Sequence, residues 1–429
     1  MKNNLIKICK YIAIILLITI IQLGLLVGVA VIPKKSIKDN MKSSAEYLAS
    51  KPVFFMVDKE DKSSVIDRYA DSIILGIAWG YDDEHPITAV MKSSYYHLDT
   101  ANENENLLAA VTSNLLPNYD YTRYWHGSLS IVRSFLVWGD IKVFYINLFI
   151  LLLILCICQA LFLGKIFNWK ISAIFIIGLI SISPWYIPQS MEYAWTFLIM
   201  FIASISSMIM CCKGKKDFST FFLIVGSFTA FFDFLTTETI TLLIPVLIIL
   251  LFREKRQEIP SFKDGFFYLV RSGIMWLLGY ASCFIAKWSI ASIVLQKNCF
   301  KEALSQAGYR ISGETANIPF IESIFTSINS NLACIFPFSF TENGHLFVFI
   351  CMIVILSIYY LFKKEKEPCY FSNLMFVIGT IPLLRFMILN NHSTLHYFFT
   401  YRVLMVSVIC IGLALLYGID SNKLQKHKK

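Results

Sequence analysis

The sequence is poor in charged residues and lacks the short motifs of soluble enzymes. Asp, Glu, Lys and Arg make up 16% of its 429 residues, and 56% of the residues are hydrophobic, whereas soluble globular domains carry about 25% charged residues. The chain has no glycine-rich phosphate loop, no HExxH zinc motif and no paired CxxC motif. One water-soluble core cannot bury so much apolar surface, so the composition excludes a soluble enzyme.

Long apolar runs are what the sequence has instead. A run of about 20 apolar residues is long enough to cross a hydrocarbon layer about 30 Å thick. The sequence therefore predicts an all-α polytopic membrane protein. We expect about ten transmembrane helices, at residues 8–33, 142–166, 170–187, 190–212, 219–236, 238–252, 268–294, 345–362, 371–388 and 399–418.

The charge pattern predicts how these spans are oriented. The formal net charge is +9, but the basic residues form short clusters between apolar runs, which is the positive-inside pattern and not that of a nucleic-acid-binding protein. The sequence thus predicts a multi-pass cell-membrane protein with both termini in the cytoplasm. Its predicted parts are an N-terminal anchor helix (1–33), a large first extracytoplasmic loop with membrane-parallel, amphipathic helices (34–141), transmembrane helices 2–7 (142–294), a second extracytoplasmic loop (295–344), and transmembrane helices 8–10 with a basic tail (345–429).

The cysteine pattern does not indicate a disulfide framework. Most of the 11 cysteines lie in apolar runs or beside lysine-rich junctions, where a free thiol behaves as a small hydrophobic group. Only Cys299 and Cys334 fall in one predicted outer loop. A disulfide between them and two free thiols are both open alternatives.

The first predicted outer loop contains candidate catalytic carboxylates. Asp71 opens an apolar stretch that we interpret as helical, and Asp82 and Asp83 follow in an acidic turn. Asp is also a preferred helix N-cap, so capping is the alternative role for Asp71. A solvated turn is the alternative for the other two. A short amphipathic helix is predicted at 128–138, with Leu129, Val132, Phe135 and Leu136 on one face and Arg133 as its basic residue; such a helix would lie in the membrane interface.

The same loop contains a candidate phosphate-binding group. Arg123, Trp125 and His126 come immediately before the predicted amphipathic helix. Guanidinium groups bind phosphate bidentately, so these residues suit an anionic, sugar-bearing headgroup. The alternative is an interface anchor, because Trp and Tyr favour the membrane interface.

Ionisable residues also occur at the predicted outer ends of several spans, where a charge inside the hydrocarbon would be costly. Helix capping is the alternative role for the acidic members, and snorkelling to the interface is the alternative for Arg402. His392 and His396 would share a helix face, but a metal pair lacks a third ligand; the cofactor stays open, with a divalent cation as one candidate. These span-end candidates are Asp233, Glu238, Lys287, Arg385, His392, His396 and Arg402, with Glu192 as a weaker one.

The order of these features resembles the GT-C superfamily of polytopic glycosyltransferases. In that family a first span is followed by a large outer loop with an essential acidic residue near the start of a helix, a short His-containing motif and a membrane-parallel helix. Asp71, His126 and the predicted helix 128–138 stand in those places. In the order of its features the resemblance covers about residues 8–212, and the rest of the chain resembles the family only in span count and polarity. The chain lacks the second carboxylate that often follows the acidic residue in the family, and it lacks the prolines that follow the histidine. Asp71 and the Asp82/Asp83 pair therefore remain alternatives for the essential acidic residue.

The resemblance implies an inverting transfer of a sugar from a polyprenyl-phosphate donor to an extracytoplasmic glycan, lipid or cell-envelope acceptor. A carboxylate, with Asp71 first, would act as base, and Arg and His groups would stabilise the departing phosphate. We therefore expect one outward-facing cavity lined by Asp71 and at least two of Lys287, Arg385 and Arg402. The competing functions are a polysaccharide polymerase or ligase using diphosphate-linked glycans, and a transporter or flippase.

Overall fold

The computed structural model describes residues 2–312, 319–364 and 370–420. Almost all of its regular structure is helical. The helices are α1 (Lys2–Ala30), α2 (Lys34–Ala49), α3 (Arg68–Gly80), α4 (Pro86–Lys92), α5 (Glu103–Thr112), α6 (Leu129–Phe135), α7 (Ile141–Ile166), α8 (Trp169–Ile180), α9 (Met191–Cys212), α10 (Ser219–Phe232), α11 (Ile240–Lys255), α12 (Phe262–Leu295), α13 (Cys299–Ser312), α14 (Phe320–Leu332), α15 (Gly344–Phe362), α16 (Tyr370–Ile388), α17 (Asn390–Leu395), α18 (Tyr397–Thr400) and α19 (Met405–Gly418). Two short antiparallel strands, β1 (Phe54–Met56) and β2 (Val65–Asp67), pair with Phe55 opposite Ile66.

Within the described residues, seven helical segments are long and apolar enough to cross a membrane, which supports the predicted all-α membrane protein. They coincide with seven of the ten predicted spans: α1, α7, α9, α12, α15, α16 and the continuous stretch Tyr397–Gly418. The other three predicted spans fall on the shorter helices α8, α10 and α11.

The predicted span 170–187 is too long, because α8 ends at Ile180. Ser183 adopts a left-handed backbone conformation with φ 50°, and a 3₁₀ helix, Pro184–Gln189, follows it. Proline restricts the residue before it to non-helical conformations, so an α-helix cannot continue through this point. The chain turns here and enters α9 at Met191.

Glycines allow a close helix crossing, that of α10 with α12. A Cβ atom added at Gly226 would collide with the carbonyl oxygen of Trp276, and one added at Gly279 would collide with that of Leu223. Small residues at such crossings let two backbones approach closely. Gln22 of α1 joins the same contact by donating to the Ser227 carbonyl and hydroxyl.

The segment between α1 and α7, residues 31–140, forms a packed layer over one end of the helices; we call it the loop layer. The Asn104 side chain connects several parts of this layer, because it donates to the carbonyls of Leu48 and Lys51 and accepts from the Ser72 hydroxyl. The helix predicted at 128–138 corresponds to α6, which is shorter than predicted. Of its predicted face, Leu129, Val132 and Leu136 are buried.

Arg133 does not lie on a solvent face of α6, as expected of a basic amphipathic helix, because its guanidinium is fully buried. It donates to the carbonyls of Val29, Ile32 and Ala78. Carbonyls at the ends of helices have no partner within the helix, so Arg133 satisfies the C-terminal ends of α1 and α3 together.

The disulfide alternative for Cys299 and Cys334 is not realised, since both are buried free thiols.

We predict that Gly226→Ala lowers the free energy of unfolding by about 3 kcal/mol, because the added methyl group forces α10 away from α12. Thermal unfolding of the detergent-solubilised protein measures the change. The matched control is Gly24→Ala in α1, where an added Cβ meets nothing within 4 Å; this variant should be unchanged or gain up to about 1 kcal/mol from helix propensity. Equal midpoints for Gly226→Ala and the wild type would contradict the proposed role of this crossing.

Candidate functional site

A cavity of about 450 Å³ lies between the loop layer and the adjoining ends of α9, α10, α13 and α17. We call it the polar cavity. Carboxylate, guanidinium, imidazole and tyrosine side chains all contribute to its wall. Its lining residues are Phe54, Asp67, Tyr69, Ala70, Ile73, Ile74, Tyr95, Tyr119, Tyr121, Arg123, His126, Glu192, Phe234, Arg310, His392, His396 and Phe399.

The acidic part of the wall is a pair of buried carboxyl groups from different elements. Asp67 ends β2 and caps α3, accepting from the Ala70 amide at 2.8 Å. Glu192 lies in the first turn of α9, and its carboxyl group donates a hydrogen bond to the Asp67 carboxylate. Its Oε2 atom is buried and has no hydrogen-bond partner among the described residues. Burial, followed by the nearby charge of Asp71, raises the pKa of Asp67 to about 7.

Asp71 is neither the helix cap nor part of the cavity wall. It lies one turn inside α3, because Asp67 occupies the capping position. Its fully buried carboxylate accepts from the Tyr145 hydroxyl at 2.5 Å and the Met191 amide at 2.9 Å, and lies 3.7 Å from Arg68. Burial raises its pKa to about 6. The bonds of Asp71 connect α3 with α7 and α9, which is a structural role.

The basic part of the wall contains two guanidinium groups. Arg310 of α13 donates to Nδ1 of His392 at 2.6 Å. The Arg123 guanidinium lies 4.2 Å from the Tyr121 ring centroid, and its Nε is buried with no hydrogen-bond partner in the described part of the chain. Its nearest carboxylate, Glu302, is 3.9 Å away. Both guanidinium groups therefore keep donor capacity toward the cavity.

The three histidines of the wall are neutral at physiological pH. Burial lowers the pKa of His126 to about 3 and that of His396 to about 4, and it lowers the pKa of His392 well below its ordinary value. Nε2 of His126 donates to the Tyr121 carbonyl at 3.1 Å, so its Nδ1 carries the lone pair. Nδ1 of His126 and Nδ1 of His396 are buried without a hydrogen-bond partner among the described residues.

Four tyrosines form an aromatic surface in the cavity. The ring centroid of Tyr95 lies 5.4 Å from that of Tyr119 and 6.3 Å from that of Tyr121, and Tyr69 lines the same wall. Tyrosine combines a large apolar ring with a polar hydroxyl. Such a surface suits a ligand with both apolar C–H faces and hydroxyl groups, as sugars have.

The turn at 233–238 positions the cavity residue Phe234, but its charged groups point into the protein. Asp233 accepts from the amides of Leu235 and Thr236, and burial raises its pKa to about 7. Glu238 pairs with Arg385 through hydrogen bonds of 2.7 and 2.8 Å. The capping alternative therefore describes Asp233, which also accepts from the Thr236 hydroxyl. The internal ion pair of Glu238 was not predicted.

Three further candidates are also buried outside the polar cavity. Lys287 donates to the carbonyls of Val90 and Met91 at the end of α4, where the helix dipole is negative. Trp125 donates from Nε1 to the Cys283 carbonyl at 2.8 Å. The Arg402 guanidinium lies 4.2 Å from the ring centroid of Tyr193.

The expectation that Asp71 and two of Lys287, Arg385 and Arg402 line one cavity is therefore wrong. Asp71, Lys287 and Arg385 form hydrogen bonds within the protein. Arg402 packs on the Tyr193 ring, and its three guanidinium nitrogens are buried with no hydrogen-bond partner among the described residues.

Asp82 and Asp83 lie in an exposed turn between α3 and α4, away from the polar cavity. Asp82 accepts from the Glu84 amide and lies 2.9 Å from Nδ1 of His85. This position matches the solvated-turn alternative.

The described residues contain no group of three or more His, Cys, Asp and Glu side chains that could hold a metal ion. The His392 and His396 rings are in contact, with centroids 4.7 Å apart and planes tilted by 50°. Both nitrogens of His392 already bind protein groups, because Nε2 donates to the Leu235 carbonyl at 2.8 Å and Nδ1 accepts from Arg310.

Of the candidates predicted from the sequence, the structure brings together Arg123, His126, Glu192, His392 and His396. Sequence reasoning missed Asp67, Arg310 and the tyrosine surface. The preference for Asp at helix N-caps could have identified Asp67 as the residue that begins α3. Arg310 gives no such signal, because it lies in an ordinary polar helix.

Comparison with known proteins adds no relationship: no protein-family model matches the chain, and neither does any curated protein or solved structure.

We predict that Arg385→Met lowers the free energy of unfolding by about 3–5 kcal/mol, because it leaves the Glu238 carboxylate buried without its partner. The double variant Arg385→Met/Glu238→Gln should recover much of this loss. Chemical or thermal unfolding in detergent measures both. The control is Lys42→Met, which removes an exposed ion pair with Glu46 and should cost less than about 1 kcal/mol. A single variant as stable as this control would refute the pairing role.

Proposed function

We propose that the chain is an integral-membrane glycosyltransferase of the GT-C type, which transfers a sugar from a polyprenyl-phosphate donor to a glycan, lipid or cell-envelope acceptor. The observation that carries the proposal is that one cavity combines an acidic pair, two guanidinium groups with free donor capacity and a tyrosine surface. A base, an anion-binding group and a sugar-binding surface are what this transfer requires.

Asp67 takes the role of base in this proposal, in place of Asp71. It stands at the start of a helix in the first loop, as the essential acidic residue does in the family that the sequence resembles. Its carboxylate accepts the proton of the acceptor hydroxyl while that oxygen forms a bond to the anomeric carbon of the donor. The bond from this carbon to the phosphate oxygen breaks, and the lipid phosphate leaves with the electron pair, so the anomeric configuration inverts.

The donor phosphate binds at the basic part of the wall. Arg123 and Arg310 provide the positive charge, and low-dielectric surroundings strengthen their attraction to the phosphate. The neutral imidazoles of His126 and His396 supply lone pairs toward a protonated phosphate oxygen or a hydroxyl group. The tyrosine surface holds the sugar ring between the acidic pair and the phosphate site.

The membrane arrangement follows from the same proposal. The three shorter helices α8, α10 and α11 complete ten spans, both termini lie in the cytoplasm, and the loop layer with the polar cavity faces outward. The lysine and arginine clusters at the opposite ends of the helices support this orientation. The lipid donor then reaches the cavity from the outer leaflet.

We predict that Asp67→Asn lowers the rate of sugar transfer by about 10²–10⁴-fold, because the amide cannot accept the proton. Asn caps helices as well as Asp does, so α3 should remain folded. Asp71→Asn should keep activity within about tenfold of the wild type, since Asp71 does not reach the cavity. The assay measures transfer from a radiolabelled polyprenyl-phosphate sugar by purified protein.

The reverse pattern, with Asp67→Asn active and folded Asp71→Asn inactive, would return the role of base to Asp71. Turnover only with diphosphate-linked donors would replace the proposal by a polymerase or ligase.

The transfer rate should depend on pH through the Asp67 carboxylate. Because its pKa is raised to about 7, the rate should fall about tenfold per pH unit below pH 7 and level off above it. The Asp71 charge contributes to raising this pKa, so Asp71→Asn should move the acidic limb to lower pH. Initial rates at saturating donor between pH 5 and 9 measure both. A limb that stays in place in Asp71→Asn would exclude this coupling.

A further inference from the structure

A second polar cleft lies at the opposite end of the helices from the polar cavity. It is formed by the connection between α9 and α10, the C-terminal end of α11 and the N-terminal part of α12, and its volume is about 340 Å³. Ser219 at the start of α10 lines the cleft, whereas Phe234, just past the end of the same helix, lines the polar cavity. The 14 residues of α10 separate the two sites by about 20 Å.

The cleft carries equal numbers of cationic and anionic side chains. The cations are Lys216, Arg253 and Arg271, and the anions are Asp217, Glu258 and Asp264. Among the described residues, these six side chains form one ion pair with each other, between Arg271 and Asp217 at 3.3 Å.

Arg253 is the positioned cation of the cleft. Its guanidinium lies 4.0 Å from the Tyr268 ring centroid and donates once, to the Lys216 carbonyl at 2.9 Å. A guanidinium has five N–H donors in a planar fork, so further donors remain for a phosphate group. Stacking on the ring fixes the plane of this fork.

The cleft borders an apolar surface of α12. Phe267 lines the cleft and is 58% exposed, and Val270 and Ile274 continue the exposed apolar surface along α12. In a membrane this surface is in contact with acyl chains. The cleft therefore lies at the boundary between headgroups and hydrocarbon.

We propose that this cleft binds the headgroup of a zwitterionic phospholipid with a primary ammonium group, as in phosphatidylethanolamine. Arg253 and Lys216 bind the phosphate, Glu258 and Asp264 bind the ammonium group, and the acyl chains lie along α12. A purely anionic headgroup would meet three carboxylates, and such like-charge contacts oppose binding. A choline headgroup has no N–H to donate to the carboxylates. The proposal does not depend on the sugar-transfer function.

The test exposes purified protein in detergent to an equimolar mixture of phosphatidylethanolamine, phosphatidylglycerol and phosphatidylcholine, and counts bound lipids by native mass spectrometry. We expect selective retention of phosphatidylethanolamine. Arg253→Gln and Glu258→Gln should each lower its retention about tenfold, since each removes charge-assisted hydrogen bonds. Lys215→Gln, an exposed charge in the same connection but outside the cleft, should change nothing.

Several outcomes would overturn the proposal. Stronger retention of phosphatidylglycerol would make the site anionic-selective, and equal retention of all three lipids would show no headgroup site. Displacement of the lipid by soluble phosphoethanolamine at an equal concentration would show that the acyl chains add nothing. Unchanged thermal unfolding shows that a variant is folded, and Asp264→Asn replaces Glu258→Gln if that variant unfolds. Sugar transfer by the same variants is measured separately, so failure here leaves the other proposal intact.

Discussion

The buried carboxylate of Asp71 fixes the geometry on which the acidic side of the polar cavity depends. It accepts hydrogen bonds from Tyr145 of α7 and from the Met191 amide of α9. Asp67 lies one turn before it, at the N-cap of α3, and Glu192 follows Met191 directly. A buried carboxylate without partners would be very costly, so these bonds hold α3 against α9. The two cavity carboxyl groups are thereby held together by a residue that does not reach the cavity.

The buried guanidinium of Arg385 likewise fixes the geometry of the polar cavity, at the wall formed by the turn at 233–238. Arg385 pairs with Glu238 and also donates to the Leu235 carbonyl, which accepts in addition from His392. Leu235 has φ 68°, a conformation that a leucine rarely adopts and that the surrounding bonds maintain. The turn is thus locked between α16 and α17, with Phe234 in the cavity wall and His392 aligned to receive Arg310.

The sequence predicted the long helices well because their length and apolarity are set locally. The span expected at 142–166 is the helix Ile141–Ile166, and the span expected at 345–362 is Gly344–Phe362. The prediction failed where the helix end depends on backbone conformation, as at Ser183. It could not locate the ends of the short helices that meet the loop layer.

The sequence predicted the types of side chain in the site, but not which individual residues line the cavity. Asp67 and Asp71 are one helical turn apart, and only packing decides that the first faces the cavity and the second faces α7. Lys287, Arg385 and Arg402 look like ligand-binding residues because charges near hydrocarbon need partners. The sequence does not show that helix carbonyls are the partners of Lys287 and that a carboxylate is the partner of Arg385. It also does not show that Arg402 packs on an aromatic ring, with guanidinium nitrogens that have no hydrogen-bond partner among the described residues. Arg310 could not be predicted as a cavity residue, because it reaches the cavity only through the packing of α13 against α17.

The charge balance of the polar cavity explains how so polar a site is stable beside a membrane. Desolvation keeps its three imidazoles neutral, so the wall holds two guanidinium charges instead of five cations. Those two charges attract an anion, and low dielectric makes that attraction strong. Additional cations in the wall would repel each other and reduce stability. Under the proposed function, a bound phosphate would make the neutral imidazoles more basic. The imidazoles would then take up protons more readily, so binding of the anion would increase the positive charge of its own site.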